Sequence, residues 1–103
     1  MLQLPNLPPL LTVDDFLPHV GSTFVVDAVP KSVAIRLERI EQGLGGSWTA
    51  RQPFMLTFSS DWSVLLIQAN YRMQAPSGDQ LRLDLVPTMT PSGPRRFYHA
   101  VFN

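Results

Sequence analysis

From Gly21 onward the apolar positions recur every second residue, and Gly- and Pro-containing turns break the alternation at roughly ten-residue intervals. Residues 24–29 predict a first strand, and Pro30-Lys31 a turn. Val33, Ile35 and Leu37 then alternate with Ala34, Arg36 and Glu38, the pattern of a strand with one wet face. Ile40 falls on the opposite parity, which predicts a bulge or the strand's end. Residues 42–47 carry Gly43, Gly45 and Gly46 and predict a loop. Phe54, Leu56 and Phe58 form the next inward set, opposed by Met55, Thr57 and Ser59. Residues 59–63 predict a loop, and 67–74 a strand with Tyr71 and Met73 on one face. Pro76-Ser77-Gly78-Asp79 is a strong turn signal. Leu81, Leu83 and Leu85 alternate with Arg82, Asp84 and Val86 until Pro87. A second turn, Pro91-Ser92-Gly93-Pro94, leads into a last strand over 97–102.

The pattern before Gly21 is different. Pro5, Pro8 and Pro9 bar a regular helix or a central strand over residues 1–11. The leucines there, among them Leu4 and Leu7, are too apolar for a solvated tail, so the segment reads as an arm. Thr12 and Asp15 form a helix-start pair, in which Thr12 caps the turn and Asp15 returns the bond. Pro18 and Gly21 stop that helix after one or two turns, with Phe16, Leu17 and Val20 as its apolar face.

Short, regularly spaced strands with Gly/Pro turns point to an all-β barrel or sandwich. A barrel removes open edges. Five of residues 97–103 are apolar or aromatic, where chain ends usually fray, so the final strand is expected to be tied into the sheet. The expected architecture is a small antiparallel β-barrel of about six strands with one short N-terminal helix. Residues 1–11 form the arm and 12–103 the barrel domain. The expected core adds Phe16, Val20, Phe24 and Tyr71 to the inward strand sets, and takes Tyr98, Ala100 and Phe102 as the buried parity of the last strand.

Composition narrows the function classes. The chain has 103 residues, one domain's worth, and 45% of them are apolar, which suits a globular fold. Eight basic and eight acidic residues cancel, so no global field attracts nucleic acid or an anionic membrane. Weak self-repulsion makes self-association or a bound protein partner easier. No cysteine is present, which excludes disulfides and thiolate chemistry and fits a cytoplasmic location. The start of the chain lacks a basic region followed by an apolar core, so it does not read as a signal peptide. The longest apolar run, residues 64–67, is far too short to cross a bilayer.

Catalytic machinery is not visible. His19 and His99 lie at opposite ends of the chain with no cysteine to supplement them, so both read as structural or surface residues and no metal is expected. Adjacent Asp14 and Asp15 do not face each other on a helix, and Asp61 and Asp79 fall in turn-like segments that favour Asp. Asp84 and Arg82 share a strand face, where each can pair with a cross-strand charge. No nucleophile elbow, phosphate loop or dinucleotide fingerprint occurs. Arg95-Arg96 reads as solvated edge charge rather than a nucleic-acid stripe. Trp48 and Trp62 sit in or beside Ser/Gly-rich loops and read either as plugs of a barrel end or as partner-binding residues.

One resemblance covers residues 12 to 103. Thr12-x-x-Asp15-Phe16-x-Pro18-x-Val20-Gly21-x-x-Phe24, Pro53-Phe54-Met55-Leu56-Thr57-Phe58, Gln68-Ala69-Asn70-Tyr71, Leu85-Val86-Pro87 and the closing Tyr98-His99-Ala100-Val101-Phe102-Asn103 together resemble a small bacterial all-β family of unknown function. Ala69 stands where that family usually has Gly. The family has no assigned catalytic residues, so the resemblance implies none. Members of that family are often encoded near phage-tail or tail-collar-like proteins, so the resemblance implies an accessory or assembly role.

The expectation is therefore a non-enzymatic protein-interaction module without a cofactor, with Leu4, Leu7, Trp48 and Trp62 as candidate partner-binding residues. The competing expectation is a small-ligand-binding barrel with Trp48, Trp62 and Tyr71 around a cavity. A barrel this small is normally filled by its own side chains, which ranks that reading second. An enzyme needs a cleft joining Asp61, His99 and Tyr98.

Overall fold

The computed structural model describes residues 11–43, 53–88 and 93–102. Leu4, Leu7 and Trp48, together with nearly all of the arm, lie outside these residues. Six strands follow a short helical segment: β1 (Thr23–Val26), β2 (Val33–Gln42), β3 (Phe54–Asp61), β4 (Ala69–Gln74), β5 (Gln80–Pro87) and β6 (Arg95–Phe102). They close into an antiparallel barrel in the order β1-β2-β3-β6-β5-β4. This is the expected all-β barrel. The helical segment is two consecutive 3-10 turns, Val13–Asp15 and Leu17–His19. Asp15 accepts the Thr12 backbone N–H at 2.7 Å, the return bond expected of that pair.

The alternation decides what fills the barrel. Phe24, Val26, Ile35, Leu37, Phe54, Leu56, Phe58, Met73, Leu83, Leu85, Tyr98 and Ala100 are buried on the inner face. Beyond Leu37 the register with β3 shifts, so that Arg39 pairs Thr57 and Ile40 pairs Leu56. The parity change at Ile40 is thus a bulge inside a strand that runs on to Gln42. One end of the barrel is stopped by Phe16. Its ring lies 5.7 Å from that of Phe102 and 6.0 Å from that of Phe54, and those two rings stack on each other at 4.5 Å. At the other end of β3 the connection to β4 sends Leu66 inward, where it is 4% exposed.

Several expectations are corrected. Val20 is 46% exposed, because the second 3-10 turn ends at His19 and Val20 is already extended. β1 stops at Val26 rather than residue 29, since Asp27 leaves β2 to bond the Arg72 carbonyl of β4 at 2.8 Å. Residues 59–61 are strand, not loop: Ser59 and Ser60 pair Phe97 and Arg96, and both serines are fully buried. Residues 67 and 68 precede β4, which begins at Ala69. The final strand takes the expected parity, with Tyr98 and Ala100 inward, and it starts two residues earlier, at Arg95. Val33, Tyr71, Leu81 and Phe102 are half-buried and pack against the core from its margins.

Candidate functional site

β3 and β4 are adjacent in sequence but not in the barrel, so residues 62–68 must cross between non-neighbouring strands. Four consecutive apolar residues, Val64 to Ile67, fall in this crossing. They cannot all turn inward. Leu66 is buried and Val64 half-buried, whereas Leu65 is 63% and Ile67 69% exposed. Trp62, at the start of the crossing, is 47% exposed. The exposed apolar surface is therefore built by a short loop whose alternate residues anchor it.

Hydrogen bonds hold that loop at nearly every step. The Trp62 N–H donates to the Pro94 carbonyl at 3.1 Å, and the Val64 N–H to the Asp61 carbonyl at 2.9 Å. Tyr98 projects from β6 into the barrel end, where its hydroxyl accepts the Leu66 N–H at 3.3 Å and lies 2.9 Å from the Ser60 hydroxyl. The Val64 carbonyl is within 3.3 Å of both hydroxyls. The Tyr71 hydroxyl donates to the Ile67 carbonyl at 2.7 Å. Burial, with the Tyr98 phenol next in weight, holds the Tyr71 phenol above its ordinary pKa.

Two arginines flank the loop, and neither is simply solvated. The Arg96 guanidinium sits 4.1 Å from the centre of the Trp62 ring, and its Nε donates to the Trp62 carbonyl at 2.8 Å. Arg95 turns to the outer face. Its Nε donates to the Ser59 hydroxyl at 2.8 Å, and that hydroxyl in turn donates to Glu38. Arg36 completes the cluster with an Nε bond to the same Glu38 oxygen at 2.7 Å. Partial burial pushes the Glu38 carboxyl up, but the bonds from Ser59 and Arg36 and the charges of Arg36 and Arg95 outweigh it. The net pKa lies below the ordinary value.

The remaining sequence candidates do not converge. Trp62 is not a plug, since Phe16 and Leu66 fill the barrel ends and Trp62 lies outside under Arg96. Trp48 lies outside the described residues. Tyr98 is inside the barrel while His99 and Asp61 point to the outer face, so the cleft an enzyme reading requires is not assembled from them. His19 packs edge-on against Phe24 at 6.0 Å. Arg82 faces the like charge of Arg72 across the strand pair, and Arg82 and Asp84 both bond the neutral Asn70, each at 3.0 Å. Among the described residues no group of three or more His, Cys, Asp and Glu is placed to hold a metal. Among them, too, no helix is long and apolar enough to cross a membrane.

Leu65 and Ile67 escaped the sequence reading as site residues. A short continuous apolar run such as Val64 to Ile67 reads equally as a buried strand, so nothing local marked which of its members would be exposed. The stacking of Arg96 on Trp62 had no local signal, because the strand register alone brings residues 34 apart into contact.

Fold and surface together define a small closed barrel that carries an anchored apolar crossover at one end. The chain belongs to the family described as "Domain of unknown function (DUF6916)", whose model matches residues 11–102. That agrees with the resemblance to a family of unknown function. No curated protein and no solved structure matches the chain.

Proposed function

We propose that this barrel is a non-enzymatic interaction module that engages a protein partner through Trp62, Leu65 and Ile67. The supporting observation is the combination of exposure and anchoring in one loop: large apolar side chains face solvent while the backbone beneath them is tied to Pro94, Tyr98 and Tyr71. A rigid apolar surface loses little conformational entropy on binding. Tryptophan and arginine are the residue types that most often dominate protein interfaces, and here they are stacked. The barrel interior is occupied by its own side chains, which favours an external partner over an enclosed ligand. The accessory role near phage-tail proteins, implied by the family resemblance, and a cytoplasmic location complete the proposal.

Affinity capture from the native cell tests it. The wild-type chain should retain a defined partner that a Leu65→Glu/Ile67→Glu variant, folded to the same secondary structure, does not. Equal retention by both proteins rejects this surface as the binding site.

A further inference from the structure

Arg96 carries a charge that no acidic side chain of its own chain neutralises. It shares the inward parity of β6 with Tyr98 and Ala100, and it lies opposite Ser60 near the start of that strand. Its side chain turns over Trp62, with the guanidinium carbon 4.1 Å from the ring centre. The Nε proton goes to the Trp62 carbonyl at 2.8 Å. The Nη groups have no acceptor among the described residues. All eight acidic residues of the chain lie among the described residues, and the ion pairs there use Arg36, Arg39 and Arg95 but not Arg96. Arg96 is thus half-buried with only neutral groups around its charge.

Any surface that closes on Trp62 also closes on Arg96, because the two are in contact. Taking water from an ionised group without supplying a partner is costly. A wholly apolar partner surface is therefore penalised at this point. A carboxylate removes the penalty, since its two oxygens match the two Nη groups, which lie open in one plane. The stack and the Nε bond already hold the guanidinium, so little more side-chain freedom is lost when it pairs. A nucleic-acid backbone is a poorer match. It calls for a row of cations, and the neighbouring Arg95 is committed to Ser59 and Glu38.

We propose that Arg96 sets the specificity of the crossover surface, by selecting a protein partner in which an aspartate or glutamate side chain borders the apolar patch that meets Trp62, Leu65 and Ile67. The inference rests on the crossover being the binding surface. It adds the chemistry of the partner: apolar, with one carboxylate at its margin.

Titration of the full chain with two capped dipeptides tests it. The probes are acetyl-leucyl-glutamyl amide and acetyl-leucyl-glutaminyl amide, followed by NMR at the Arg96 Nε–H and the Trp62 indole N–H. The glutamyl peptide should shift both signals progressively, and added salt should reduce the response. The glutaminyl peptide should leave them in place. Equal responses to the two peptides overturn the proposal, as does a glutamyl titration that stays flat to the solubility limit. Capture of the native partner separates this inference from the reading beneath it. Arg96→Gln should weaken retention at least about tenfold, the least expected for losing a hydrogen bond to a charged group. Leu65→Glu/Ile67→Glu should abolish it. Retention lost in the double variant but unchanged in Arg96→Gln keeps the surface and rejects the carboxylate. Equal retention by all three proteins rejects the surface, and this proposal with it.

Discussion

The Tyr98 hydroxyl stands 2.9 Å from the Ser60 hydroxyl inside the end of the barrel, and together they hold the crossover that carries the exposed apolar surface. Tyr98 comes from β6 and Ser60 from β3, paired strands whose join makes this end. Tyr98→Phe keeps the ring packing and removes the hydroxyl from Leu66 and Val64. A buried hydrogen-bonding group left without its partner costs about 1–3 kcal/mol. Stability by denaturant titration should fall by that amount, and hydrogen exchange at the Leu66 amide should accelerate more than exchange at β2 amides. Unchanged exchange at Leu66 contradicts the role given to Tyr98.

The end plugs should dominate stability. Phe16 is fully buried against Phe24, Phe54 and Phe102 although it sits outside the sheet. Phe16→Ala should cost about 3–5 kcal/mol, the usual range for truncating a buried aromatic. The neighbouring Leu17→Ala should change little, since Leu17 is half-exposed. Thermal unfolding of the two variants separates them.

Thr57 provides a prediction of opposite sign. It is 1% exposed on β3, and its hydroxyl has no hydrogen-bond partner among the described residues. Thr57→Val replaces that hydroxyl with a methyl of similar shape, so the variant should be as stable as the wild type or up to about 2 kcal/mol more stable. A clear loss of stability, read by denaturant titration, shows that the hydroxyl has a partner after all.

Acid should weaken the β2–β3–β6 junction through Glu38. Its folded pKa is depressed, so its contribution to stability is fully present above its unfolded value, near 4.5, and is lost as pH falls through the folded value. Glu38→Gln should lower stability at neutral pH and flatten the acid side of the stability profile. A profile unchanged by the substitution contradicts the Ser59–Glu38–Arg95 arrangement.

The fold was far more legible in the sequence than the surface. Period-two alternation identifies a strand directly, as at Val33, Ile35 and Leu37, because a pleated strand sends successive side chains to opposite faces. Even the bulge after Leu37 left a mark, in the parity of Ile40. Ser59 and Ser60 misled because serine is a turn former, and only tertiary partners, Arg95 with Glu38 for one and Tyr98 for the other, explain serine buried in a strand.

The account's central claim is that the crossover surface binds a protein. Photo-crosslinking in the native cell, with a photoreactive residue at position 65 or at position 101, tests it most directly. Leu65 and Val101 are similarly exposed, at 63% and 59%, but Val101 lies on the outer face of β6, away from the crossover. A discrete adduct from position 65 with none from position 101 is the predicted result. No adduct at position 65, or equal adducts from both, contradicts the claim.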